Sequence, residues 1–218
     1  MNKSGSKSNR DQSRGEEIAN SISHGIGLML ALIATPFLIV YAVRYQNAQF
    51  IVSVCLFGAT MSLVYLTSTI YHALHIGKAK RVFQVMDHSA IFLFIAGSYT
   101  PFTLGVLHGA WGWTLFGLIW GLALIGVALK ICDKMSHPIL STGMYLLMGW
   151  LVLIAIHPLY TRVPMFGLLW LAAGGLAYTA GVIFYVTDGR LRYGHFIWHL
   201  FVMTGSSCHY CAVLWYAA

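Results

Sequence analysis

Charge is the scarcest thing in this sequence. Only 9% of its 218 residues are Asp, Glu, Lys or Arg, and just six of those are acidic. Soluble domains carry roughly 25% charged residues, so a soluble globular fold is not expected. The 58% apolar content and a mean hydropathy of +0.72 point instead to a membrane protein. Cysteine is scarce too: Cys55, Cys132, Cys208 and Cys211 all lie in or beside apolar stretches. A disulfide framework needs loops and an oxidising compartment, so none is expected. The opening "MNKSGSKSNRDQSRG" has no apolar core and does not read as a signal peptide. Residues 1–15 are expected to form a short disordered cytoplasmic arm.

Long apolar runs are what the sequence does have. A spanning helix needs about 20 mostly apolar residues. Seven stretches qualify, near 20–43, 50–74, 86–107, 111–131, 138–158, 164–187 and 195–216. The expected fold is therefore all-α, with residues 16–218 forming one domain of seven transmembrane helices. Short links such as "HIGKAKR" (75–81) and "DGRLRYG" (188–194) hold much of the charge. Lys3, Lys7, Arg10, Arg14, Lys78, Lys80, Arg81, Lys130, Lys134, Arg190 and Arg192 fall on one side of such a bundle, against only Arg44 and Arg162 on the other. The positive-inside rule then places the N-terminus in the cytoplasm and the C-terminus outside. The net charge of +7 is spread between apolar runs rather than gathered in one patch, so nucleic acid is not an expected partner.

Of the six acids, Asp11, Glu16, Glu17, Asp133 and Asp188 sit in the arm or the links, and Glu16 and Glu17 suit a helix start. Asp87 stands apart, at the entrance of the third span in "QVMDHSAIFLF". It reads either as a helix-start charge or as a costly membrane acid with a partner. Depth supplies candidate partners. Ser68 and His72 share a face at the cytoplasmic end of span 2, and His195 and His199 share one at the start of span 7. Three histidines with room for a fourth group are the ligand set of a catalytic zinc site. Each histidine alone also reads as an interhelical hydrogen-bond donor.

Other residues carry weaker signals. His24 opens span 1 at the same depth, four residues after Asn20, as a further ligand, a ligand's partner or a helix bridge. His88 points about 100° away from Asp87 around the helix. His209 lies about 15 Å beyond His199, too far for the same metal, although it could form a separate site with Cys208 and Cys211. Pro36, Pro101 and Pro164 are expected to bend or start helices, and Gly117 and Gly121 to serve close packing.

The segments "EEIANSISHGIGL", "STIYHAL", "DHSAIFLFIAGSYTPF", "MGWL" and "GHFIWHLFVMTGSSCHY" resemble the hemolysin III family of bacterial inner-membrane proteins. The resemblance runs from about residue 16 to the C-terminus. That family is similar to the adiponectin and progestin receptor group and the alkaline ceramidases, whose shared pattern is Ser-x-x-x-His, an Asp on the next helix and a final His-x-x-x-His. All three parts stand here as Ser68/His72, Asp87 and His195/His199. The resemblance implies zinc on His72, His195 and His199, with Asp87 and Ser68 beside its bound water as catalytic groups. Asp87 reads either as the carrier of that water's proton or as the partner that orients a histidine ring. It also implies a lipid amide or ester as substrate and membrane lipid as the partner. A zinc-dependent hydrolase is therefore one expectation. A non-enzymatic protein of membrane homeostasis with structural zinc is the second, and a cytolysin or pore a third. A pore would need polar residues through the full depth, whereas here they gather at one end.

Overall fold

In a computed structural model of the chain, residues 10–217 are described apart from 46, 108 and 136, and every element among them is helical. Helix α1 (Arg14–Tyr45) is followed by α2 (Ala48–Ala73) and α3 (Lys78–Thr100), which continues as a π-helix over Pro101–Leu107. Then come α4 (Gly109–Ile131), α5 (Pro138–Gly149), a 3-10 turn (Leu151–Ala155), α6 (Ile156–Arg162), α7 (Met165–Thr187) and α8 (Gly194–Tyr216). Six helical rods are long and apolar enough to cross a membrane, with α5 to α6 counting as one. Helix α8 matches α4 and α7 in length but carries two serines, a threonine and three histidines, and is not among the six.

The helices close a ring in the order α1, α2, α3, α5, α7, α8 and back to α1, with α4 packed outside α3. Small residues let the first three approach. A Cβ on Gly58 of α2 would strike Thr35 of α1, and one on Gly97 of α3 would strike Thr60 of α2. Between them lies a core that includes Phe57, Phe94, Val54 and Val213. The contact of α1 with α8 brings the first turns of those two helices together with the end of α2.

Three boundaries differ from the expectations. Helix α3 begins at Lys78, inside the expected link, so Asp87 lies nine residues into it rather than at its entrance. A helix-terminal field acts only over the first turn, which removes the reading of Asp87 as a helix-start charge. Pro36 neither starts nor stops α1, which runs through it. Residues 1–9 of the expected arm lie outside the described residues, while its remainder is fixed: Arg14 and Gly15 open α1, and Arg10 pairs with Glu16.

The two internal breaks sit side by side. Pro101 has no N–H for the α-helical ladder, and the chain changes there to the π form. After Gly149 the α5 ladder gives way to a 3-10 turn, and Tyr99 takes up the freed groups. Its hydroxyl lies 2.8 Å from the Met148 carbonyl, 2.7 Å from that of Gly149 and 2.9 Å from the Val152 N–H.

Candidate metal centre

His72 is carried by the last turn of α2, and His195 and His199 by the first turns of α8. One nitrogen from each of the three rings lies within 4.8 Å of the others, and all three residues are buried. Their ring centroids are 4.9 to 5.1 Å apart. No other group of three or more possible metal-ligating residues of this kind occurs among the described residues.

What faces the outer nitrogens decides how the rings present themselves. His72 Nδ1 lies 2.7 Å from a Glu17 carboxylate oxygen, and His195 Nδ1 lies 3.0 Å from Asp188. His199 Nδ1 lies 3.2 Å from the Asn20 carbonyl and 3.1 Å from Ser23 Oγ. A carboxylate or carbonyl can only accept, so each partner assigns the proton to Nδ1 and leaves the Nε2 lone pair free. The Nε2 atoms of His72 and His199 are buried and have no protein partner. Orphaned buried acceptors are costly. Nitrogen donors backed on the far side by carboxylate or carbonyl suit a divalent transition ion such as zinc.

His24 stands beside this group. Its ring stacks on His199 with centroids 3.5 Å apart and planes 7° from parallel. His24 is thus a neighbour of the trio and not one of the three residues that make it up. Its Nδ1 lies 2.7 Å from Ser68 Oγ, while its Nε2 is buried and unpaired. A connected line therefore runs from Ser68 through His24 to His199, joining three of the residues singled out in the sequence.

His24 and Asp87 line one wall of an apolar cavity of about 130 Å³, together with Phe94, Tyr178 and Trp198. A second cavity of about 240 Å³ adjoins it through Tyr99, Trp150, Gly175 and His209. His209 belongs to this corridor, edge-on to Tyr178 at 5.4 Å, and not to the metal-ligating group. Cys208 and Cys211 are half-buried free thiols.

Glu17, Asp188, Ser23 and the Asn20 carbonyl are the functional groups that sequence reasoning missed. One signal pointed to them: Glu17, Asn20 and His24 recur at spacings of three and four, on one face of α1.

Comparison with known proteins accounts for the combination. The model of the family described as haemolysin-III related matches residues 12–210. A hemolysin-3 homolog of Bacillus subtilis is 46% identical over 201 residues, 92% of this chain and 94% of the relative. Hemolysin-3 of Bacillus cereus is 44% identical over 92% and 91% of the two chains. The human monocyte to macrophage differentiation factor is 30% identical over 72% of this chain and 67% of its own length. A match spanning all eight helices, and both ends of the histidine cluster, places this multi-pass membrane protein in the haemolysin III family.

Proposed function

We propose that the chain is a zinc-dependent hydrolase of the bacterial inner membrane that cleaves an amide or ester bond of a membrane lipid. The observation that carries this reading is the buried histidine trio with unpaired Nε2 atoms, set beside an apolar cavity whose wall holds Asp87. His72, His195 and His199 would hold the zinc, which when bound supplies Lewis acidity toward a carbonyl and an acidified water. Glu17, Asp188 and the Asn20 carbonyl keep the three rings aimed inward. Asp87 takes up a proton and returns it to the leaving group. Ser68 steadies Asp87 and is itself held by His24. The apolar corridor beyond takes the hydrocarbon chain and keeps bulk water from the reacting bond.

The same reading includes the topology. Helix α8 has 23 residues, about 34 Å at 1.5 Å per residue, enough for a ~30 Å hydrocarbon core. Counting it gives seven spans, with the metal end toward the cytoplasm by the positive-inside rule. Activity reporters fused after residue 218 and within 78–81 test this. The first should be active only outside and the second only inside, and the reverse pattern would overturn the orientation.

A non-enzymatic reading is favoured by one observation, the near-complete burial of the trio, with His199 at 0% exposure. Structural zinc would tie α2 to α8 and do no chemistry. Metal analysis together with lipid turnover, comparing the wild type with His199→Ala, separates the two. The hydrolase reading expects a specific lipid to accumulate in the variant while the helices stay folded. The structural reading expects an unfolded or unstable protein and no turnover in the wild type.

A further inference from the structure

The segment just before α1 does more than lead into it. Glu16 is 2% exposed, and its carboxylate gathers donors from both sides of the bundle's end. Both Arg10 guanidinium nitrogens donate to it at 2.6 Å, and the Ser13 N–H and hydroxyl do so at 2.9 and 2.8 Å. The fifth donor comes from far along the chain: the Tyr193 N–H, at 2.7 Å. Tyr193 is the left-handed residue (φ 60°) that turns the α7–α8 link into α8, two positions before His195.

Gln12 makes a second bridge. Its amide oxygen accepts from Asn20 Nδ2 at 2.8 Å, and its Nε2 lies 3.5 Å from the Asp188 carboxylate. Asn20 and Asp188 are the residues whose oxygens face the Nδ1 atoms of His199 and His195. The Arg10 N–H adds a contact to the Gly189 carbonyl at 3.3 Å. The link over 188–194 contains two glycines, and fixing it costs about 1–2 kcal/mol of conformational freedom per residue, which these contacts offset.

We infer that Arg10, Gln12 and Glu16 are positioning residues that clasp the α7–α8 link to α1, hold Asp188 and Asn20 against the metal-ligating histidines, and so set how slowly the metal leaves. This rests on the metal reading given under Proposed function. Glu16 supplies the anchor, because a buried carboxylate with charge-assisted and backbone donors is strongly fixed. Gln12 supplies the reach across to both oxygens. Neither touches the metal site itself.

The test is zinc release from the full-length protein in lipid nanodiscs, after loading with zinc and addition of excess chelator. Arg10→Ala and Gln12→Ala should release zinc about tenfold faster, the lower end of the range for losing a ligand's hydrogen-bond partner. Arg10→Lys should restore part of the wild-type rate. Arg162→Ala, at the opposite end of the bundle, should leave it unchanged. Thermal unfolding of the metal-free protein separates positioning from bulk support: it should be unaltered in Gln12→Ala, whereas Arg10→Ala, which takes both charged donors from the buried Glu16, should lose stability as well. Glu16→Gln, which risks misfolding, is read only beside these two. Wild-type release rates in both variants would overturn the clasp while leaving the metal reading intact. Faster release in Gln12→Ala matched by an equal loss of metal-free stability would overturn it too, in favour of a purely structural segment. A wild-type protein that takes up no zinc would overturn both readings together.

Discussion

The two ends of this bundle are built on opposite terms. Where α1, α3 and α8 begin, acids are paired with a histidine or an arginine: Glu17 with His72, Asp188 with His195, and Glu16 with Arg10. Toward the other end the ring is held by aromatic and aliphatic packing, its helices are broken at Pro101 and Gly149, and its interior is an apolar cavity. Polar groups inside a membrane protein are expensive and persist where they find partners. Here they are concentrated at one end. The proposed function puts chemistry at the first end and space at the second, and each variant below tests one side of that contrast.

The largest effect belongs to the histidines. His72→Ala, His195→Ala and His199→Ala should each lose essentially all bound zinc, at least about 100-fold in affinity, because two remaining ligands make a poor site. His209→Ala, in the apolar corridor, should keep it. Metal content of the purified variants measures this, and equal retention in all four would erase the distinction between the ends.

Next comes Asp87. Asp87→Asn keeps the shape and removes the charge, so lipid hydrolysis should fall by roughly 100-fold or more with zinc retained. The reading of Asp87 as a helix-start charge has already gone, since α3 begins nine residues earlier. If the variant loses zinc and turnover in parallel, Asp87 belongs with the ligand supports and its role in proton transfer fails.

The supports themselves should show an intermediate effect. Glu17→Gln and Asp188→Asn each turn the charged acceptor that fixes a ring into a neutral one, and should weaken zinc by about 10-fold, the lower end of the range for such partners. Competition against a chelator of known affinity gives the number. Wild-type affinity in both would mean that the histidines hold the metal without help from that end's ion pairs.

How much of this was legible in the sequence follows the same division. His72, His195 and His199 announced themselves through i, i+4 spacing at a shared depth, since helical periodicity is a local property. Glu17 and Asp188 read only as a helix-start charge and a link residue. Glu17 reaches His72 only through the packing of α1 on α2, 55 residues apart, and Asp188 meets His195 only once the link folds back onto α8, whereas the Asn20 carbonyl and Ser23 meet His199 through contacts more than 170 residues apart. Pro101 marked its break because a missing N–H is visible in sequence. The α5 break was not visible, because it is stabilised by Tyr99 on another helix. The polar end was therefore half readable and the corridor scarcely at all.

The smallest effect probes the corridor. Gly175 on α7 lines both cavities, and a Cβ placed there would meet the Trp150 ring at an ordinary 3.9 Å. Alanine therefore fits without strain, whereas the longer side chain of Gly175→Leu would project into the corridor. If the corridor seats a lipid chain, that leucine should displace roughly two methylenes of a long chain, about 1.5 kcal/mol, and raise KM about tenfold. Short-chain substrates that end before Gly175 should be turned over as in the wild type, and zinc content should not change, because the trio lies at the other end. Gly175→Ala controls for the loss of the glycine itself. The measurement is KM against acyl length on one preparation of each variant. A uniform rise across all lengths would mean that the leucine disturbs the fold rather than the chain's path, and no change at any length would take the hydrocarbon out of this corridor.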